Sequence, residues 1–156
     1  MADIPVPTVV LGQVGTPAWA NAVSAAVTEL QAGPWYAQAV ANQTGITTVT
    51  DLTGCTVTFT AVAGRRYKVT GVALPSGSNE QCTLTLTDGA NVLKQQGNVV
   101  APPSAETVVV NWVSNVSISG TTTWKLRIER VGAAAMQNNA TPTAPSFILV
   151  EDIGSL

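Results

Sequence analysis

The chain has 156 residues, a formal charge of −2 and only 10% charged side chains, enough length for one domain with a sizeable core and no need of disulfide staples. Seven basic residues cannot form the stripe that neutralises many phosphates, so nucleic acid is not an expected partner. A soluble monomer ordinarily carries about 25% charge, so this surface is expected to be covered by hydroxyls and amides or by another protein chain.

In chain order the sequence divides into an arm over residues 1–15, a short helix over 16–33 and a β-domain over 34–156. The start, Met1 to Pro7, has no basic region and no long apolar stretch, so neither a signal peptide nor a membrane span is expected there. The first fifteen residues combine Pro5 and Pro7 with Val6, Val9 and Val10, and hold Asp3 as their one charge. That mixture is too apolar for a solvated tail and too broken by proline for a central strand. It reads as an extended arm lying on something, against the plainer alternatives of an edge strand or a disordered leader.

Thr16-Pro17 has the form of a helix start, with Thr as cap and Pro in the first turn, and Gly33-Pro34 has the form of a stop. Between them Trp19, Val23, Ala26 and Leu30 recur at the spacing of a coiled-coil seam. Two heptads do not hold an isolated coiled coil together. The stripe therefore packs either on the sheet of its own domain or on other copies of itself.

From Trp35 the period changes to two. Cys55, Val57, Phe59 and Ala61 alternate with threonines, as do Cys82, Leu84 and Leu86, which predicts antiparallel strands with one buried and one hydroxyl-rich face. Further strands are expected at 66–74, 91–100, 106–113, 123–131 and 146–152, separated by turn signals at 62–64, 75–78, 88–91 and 119–120. Asp88-Gly89 suggests a hairpin between 81–87 and 91–95. Strands so closely spaced, with no helix between them, favour a mainly β fold, an antiparallel β-sandwich of jelly-roll type.

The candidate sites are sparse. The chain has no histidine, which removes the Ser-His-Asp and Cys-His arrangements and the usual zinc sites, so neither a metal nor another cofactor is expected. Glu151 and Asp152 are neighbours on one strand and point to opposite faces, so they do not form an acid/base couple, and no enzyme is predicted. Cys55 and Cys82 fall in phase with the apolar residues and read as core thiols, a disulfide between them being left open. Gly12 to Thr16 lacks the lysine of a phosphate loop and is explained by a turn before a helix cap. Trp112 and Trp124 lie in phase with apolar neighbours and read as core. Trp35-Tyr36 is placed either at the junction of helix and sandwich or against a ligand. Arg127 and Glu151 are candidates for an ion pair between subunits.

Four stretches, Thr16 to Asn21, Phe59-Thr-Ala-Val-Ala-Gly-Arg-Arg-Tyr-Lys-Val69, Thr121-Thr-Thr-Trp-Lys-Leu-Arg-Ile-Glu-Arg130 and Phe147-Ile-Leu-Val-Glu-Asp-Ile-Gly154, resemble small β-sandwich virion proteins of tailed phages that infect actinobacteria. These are capsid decoration proteins, head fibres or minor tail proteins. The resemblance implies a homotrimer of jelly-roll domains with the helices gathered on the threefold axis. It also implies an arm, through Ile4, Pro5, Val6, Pro7, Val9, Val10 and Leu11, that contacts the major capsid protein on the capsid exterior after assembly in the host cytoplasm. Neither nucleic acid nor membrane would be a partner. The alternatives are a minor tail or receptor-binding virion protein that takes a host glycan, or a carbohydrate-binding module.

Overall fold

A computed structural model describes residues 33–77, 80–101, 103–114 and 117–155, together with Ala18, Ala20 and Asn21, which are helical. The rest of the expected helix and the whole of the arm lie outside the described residues. Gly33 has a positive φ of 96°, and the β-domain begins two residues later. The described strands are β1 (Trp35–Ala39), β2 (Gln43–Ile46), β3 (Thr50–Ala61), β4 (Arg65–Ala73), β5 (Pro75–Ser76), β6 (Glu80–Asp88), β7 (Leu93–Ala101), β8 (Val108–Val113), β9 (Gly120–Val131), β10 (Met136–Asn138) and β11 (Ser146–Ser155).

Two four-stranded antiparallel sheets, in the orders β1-β11-β4-β8 and β3-β9-β6-β7, face each other, and a small sheet β2-β10-β5 closes one end. Without the three small strands, the eight that remain switch sheet at every step except the central β6–β7 hairpin, so that first pairs with last and second with second-to-last. This is jelly-roll order, and the expected antiparallel sandwich is the fold observed.

The period-two pattern builds the core directly. In β4, Tyr67, Val69, Gly71 and Ala73 turn inward; in β11, Ile148 and Val150; in β9, Trp124, Leu126 and Ile128; in β6, Cys82, Leu84 and Leu86. Five of the core side chains are aromatic and contact one another. Trp35 lies over Phe59 at 4.4 Å between ring centroids, Phe59 meets Tyr67 and Trp124 at 5.1 Å each, and Trp112 meets Trp124 edge-on at 5.4 Å. The rings come from five strands in both sheets, so they tie the layers together; truncating one buried ring of this kind to alanine typically costs about 3–5 kcal/mol. The Tyr67 hydroxyl accepts a bond from the Val62 N–H at 2.8 Å, which anchors the turn between β3 and β4.

Three departures from the sequence expectation have physical causes. First, β3 begins at Thr50, not Cys55, because it runs through a bulge between Asp51 and Thr56. Gly54 carries the bulge at φ 85°, and a Cβ there would sit 2.6 Å from the Gln38 carbonyl oxygen, so only glycine fits. Gln43 from β2 takes the place of the missing strand partner: its Nε2 donates to the Asp51 carbonyl at 3.1 Å and its Oε1 accepts from the Thr53 N–H at 2.9 Å. Second, Pro75-Ser76 forms the edge strand β5 rather than a turn, a position where proline's missing N–H costs nothing. Third, the β6–β7 hairpin is present, but its left-handed residue is Asn91 (φ 66°). Asp88 Oδ1 organises that loop by accepting the N–H groups of Ala90 and Val92, both at 2.9 Å, so the asparagine, which tolerates this conformation, supplies the turn.

Candidate functional site

The two sheets present different chemistry to the outside. On β3-β9-β6-β7 the outward residues are mainly threonines and charges. Thr58 and Thr123 share a hydrogen bond of 2.8 Å across the strands. Asp51 receives Lys125 Nζ on one oxygen and Arg127 Nε on the other, both at 2.7 Å. Partial burial pushes the Asp51 carboxyl up, but bonds from Lys125 and Arg127 outweigh it and hold the group below its ordinary range. Thr87 departs from the expected hydroxyl face. It is buried beside Lys125 and Leu93 in register, and its Oγ1 has no hydrogen-bond partner.

The other sheet carries apolar side chains among polar ones on its outer side. Alternation sends Phe147, Leu149 and Glu151 of β11, Lys68, Thr70 and Val72 of β4, Val109, Asn111 and Val113 of β8, and Tyr36 and Gln38 of β1 outward. The register aligns Gln38, Phe147, Val72 and Val109 in one row, and Tyr36, Leu149, Thr70 and Asn111 in the next. Tyr36 and Val109 are each about half exposed, at 50% and 49%. The Tyr36 ring lies 5.6 Å from that of Phe147, and its hydroxyl donates to Gln38 Oε1 at 2.7 Å. Lys68 and Glu151 bond each other at 3.0 Å, so the charge beyond these rows is internally neutralised. Sequence reasoning missed this face: the run Phe147-Ile148-Leu149-Val150 has no polar alternation, and its continuity was the signal that both sides of β11 face apolar surroundings.

Arg127 and Glu151 do not meet within the chain. They lie on different sheets, Arg127 bound to Asp51 and Glu151 to Lys68. Asp152, next to Glu151, turns the other way and bonds Arg65 Nε at 2.7 Å in a largely buried pair. Asp88 bonds Lys94 at 3.1 Å. Burial raises the Asp88 carboxyl, yet the Val92 N–H, Lys94 and the Ala90 N–H together lower it further. These four carboxylates are therefore each tied to a cation, and among the described residues no group of three or more His, Cys, Asp or Glu side chains could hold a metal ion.

At the closed end, Asn138 is a fully buried hub whose Oδ1 accepts from the Leu74 N–H at 3.0 Å and from Ser146 Oγ at 2.8 Å. Ser76 Oγ accepts Nδ2 of Asn139 at 2.8 Å and Nε2 of Gln137 at 3.2 Å. A cleft of about 380 Å³ opens there between Gly45, Ser76, Pro103 and Met136. Cys55 and Cys82 are free and buried. Burial raises both thiols to about 11, with the Ala39 backbone partly opposing the shift at Cys55 and the Glu106 charge adding to it at Cys82. Trp35 belongs to the aromatic core, as do Trp112 and Trp124, whereas Tyr36 faces out.

The arm residues Ile4, Pro5, Val6, Pro7, Val9, Val10 and Leu11, and the stripe residues Trp19, Val23, Ala26 and Leu30, lie outside the described residues.

No protein-family model matches the chain, and no curated protein matches it. Among solved structures it is similar to the CBM36-1 domain of a multidomain xylanase from the hindgut metagenome of Trinervitermes trinervoides. That match has 12% identity, covers 78% of this chain and 99% of that one, and has a TM-score of 0.46. It is also similar to an arabinose-bound α-L-arabinofuranosidase, with 10% identity over 76% of this chain and 25% of that one, and a TM-score of 0.32.

Proposed function

We propose that this chain is a non-enzymatic structural protein of a tailed-phage virion, a cementing subunit that lays residues 1–15 on the outer surface of the capsid and carries the jelly roll outside it as a homo-oligomer. The observation that carries the reading is the contrast between body and leader. The jelly roll ties Asp51, Asp88, Glu151 and Asp152 into ion pairs with its own cations, while the 33 residues before Pro34 hold only two charged side chains, Asp3 and Glu29. A leader so poor in charge and so broken by proline suits a surface to lie on, and if such an arm orders on docking it would meet its entropic cost at that moment. Several arms in one oligomer raise the avidity well above that of a single arm. The stretches that resemble virion proteins support the same reading: 59–69 is the end of β3, the turn that crosses to the other sheet and the start of β4, 121–130 is most of β9, and 147–154 is most of β11.

A second reading, a glycan-binding virion protein or carbohydrate-binding module, is favoured by one feature, the half-exposed Tyr36 ring beside Phe147. The deciding experiment compares full-length protein with a version lacking residues 1–15 for binding to phage capsids that lack it, with native mass recorded. Saturable binding that needs the arm supports the cementing reading. Failure of both proteins to bind, together with a hit on a glycan array that Tyr36→Ala abolishes, replaces it with the second.

A further inference from the structure

We infer that Asp88-Gly89 is a site of spontaneous isoaspartate formation that the β6–β7 loop holds shut, so that the modification marks molecules in which this loop has opened. The inference is independent of the virion reading.

The chemistry starts from the sequence. Asp88 is the one Asp or Asn of the chain with glycine after it; Asp3, Asp51 and Asp152 precede Ile4, Leu52 and Ile153. Glycine has no Cβ to obstruct its own amide nitrogen and turns through backbone conformations closed to other residues. The Gly89 nitrogen can therefore reach Cγ of a protonated Asp88 carboxyl. The N–Cγ bond forms as a Cγ–O bond breaks, the amide proton and the carboxyl hydroxyl leave together as water, and a five-membered succinimide results. Water then adds to either carbonyl of the ring. Opening at Cγ restores aspartate. Opening at the Asp88 backbone carbonyl leaves the chain running through Cβ and Cγ, with the former carbonyl now a free carboxylate. The Asp88 side chain is 27% exposed, so water for this second step is at hand.

The fold opposes the first step at each partner. Oδ1 of Asp88 accepts the N–H groups of Ala90 and Val92 at 2.9 Å each, and Oδ2 bonds Lys94 Nζ at 3.1 Å. Burial raises this carboxyl, but the Val92 N–H, Lys94 and the Ala90 N–H outweigh that and favour the charged form, so the protonated acid that must lose water is scarce. The Asp88 backbone is fixed as well: its N–H donates to the Val92 carbonyl at 3.1 Å and its carbonyl accepts the Asn91 N–H at 3.0 Å. Gly89 rests on β9, where a Cβ built on it would stand 3.3 Å from Thr123 Cβ. Ring closure requires the carboxyl to leave Ala90, Val92 and Lys94 and turn toward the Gly89 nitrogen, which the closed loop does not permit. Conversion is not silent. The side-chain carboxylate that organises the loop is consumed, and a further carbon enters the backbone beside the Thr87–Leu93 pair of the hairpin, so an opened loop does not reclose in its original form.

The test follows isoaspartate at position 88 by peptide mapping of the full chain aged near neutral pH. Wild type should convert at least about tenfold more slowly when native than in urea, because conversion waits on opening of the loop. Lys94→Ala, with its melting curve recorded to show that it folds, should convert at least about threefold faster than native wild type. In urea, Gly89→Ala should convert at least about tenfold more slowly than wild type, since a Cβ now obstructs the nitrogen. Equal rates for native and unfolded wild type overturn the inference, as does a folded Lys94→Ala that ages like wild type. Isoaspartate at position 88 in neither state overturns the assignment of the site.

Discussion

Gly71→Ala should destabilise this protein even though the local backbone would accept alanine. In an ordinary strand the change is favourable by about 0.5–1 kcal/mol, because glycine loses more conformational freedom on folding. Gly71, however, faces inward on β4 against Leu126 of the opposite sheet. A Cβ there would collide with Leu126 Cδ2 on β9 and stand 3.0 Å from Val110 Cγ2 and 3.1 Å from Leu126 Cδ1. Leu126 is fully buried and Val110 nearly so, so neither has free volume to move into, and overpacking of this kind typically costs about 1–3 kcal/mol. The net effect is a loss of about 1–2 kcal/mol, which for a domain of this size lowers Tm by about 2–8 °C. Urea unfolding followed by tryptophan fluorescence, together with thermal melts, measures it. The companion Leu126→Ala alone should cost about 2–5 kcal/mol, but the double variant should be better than the sum of the two by at least about 0.5 kcal/mol, because the new methyl enters the space that Leu126 vacates. A Tm at or above wild type for Gly71→Ala, or strict additivity in the cycle, would refute the claim that Leu126 leaves no room for a methyl at Gly71.

Asn138→Ala should cost about 1–3 kcal/mol in the same unfolding assay, because it strands the Leu74 N–H and the Ser146 hydroxyl that Oδ1 now accepts; a change below about 0.5 kcal/mol would remove Asn138 as the hub of the closed end. Cys55 and Cys82 should resist a thiol reagent at neutral pH in the native protein and react as two free thiols after denaturation. Cys82 has its proton held in the fold up to about 11 against an ordinary 9.0, so its contribution to stability is complete below 9 and is lost as pH rises through that window. Cys82→Ala should therefore flatten the alkaline decline, and an unchanged profile would count against the assignment. Asp51 and Asp88 are shifted the other way. Their contribution is present above the ordinary carboxylate value of about 3.9 and disappears as pH falls through the lower value in the fold, so Asp51→Asn should make stability less steep below pH ~4. At neutral pH Asp51→Asn should cost only about 0–1 kcal/mol, less in high salt, since Asp51 is half exposed.

What the sequence determined by itself is the part governed by local periodicity. Cys55-Thr-Val-Thr-Phe-Thr-Ala61 and Cys82-Thr-Leu-Thr-Leu86 declare which side chains are buried because successive residues on a strand point to opposite faces. The in-phase positions of Trp112 and Trp124 likewise placed both rings in the core, Trp124 deeply and Trp112 in part, where they meet edge-on. The short strands β2, β5 and β10 were not legible, since two to four residues hold too little pattern and β5 reads as a turn until β10 pairs with it. Nor could spacing assign ionic partners. Arg127 meets Asp51, 76 positions away in the chain, only because a bulge at Gly54 puts Asp51 opposite β9. The apolar side chains on the outer face of β1-β11-β4-β8 are the clearest case of tertiary decision. Tyr36, Val72, Val109, Phe147 and Leu149 come from four separate strands, and no window of sequence contains them. They become one surface because first and last strands of a jelly roll pair, which brings β1 beside β11 and sets both against β4 and β8.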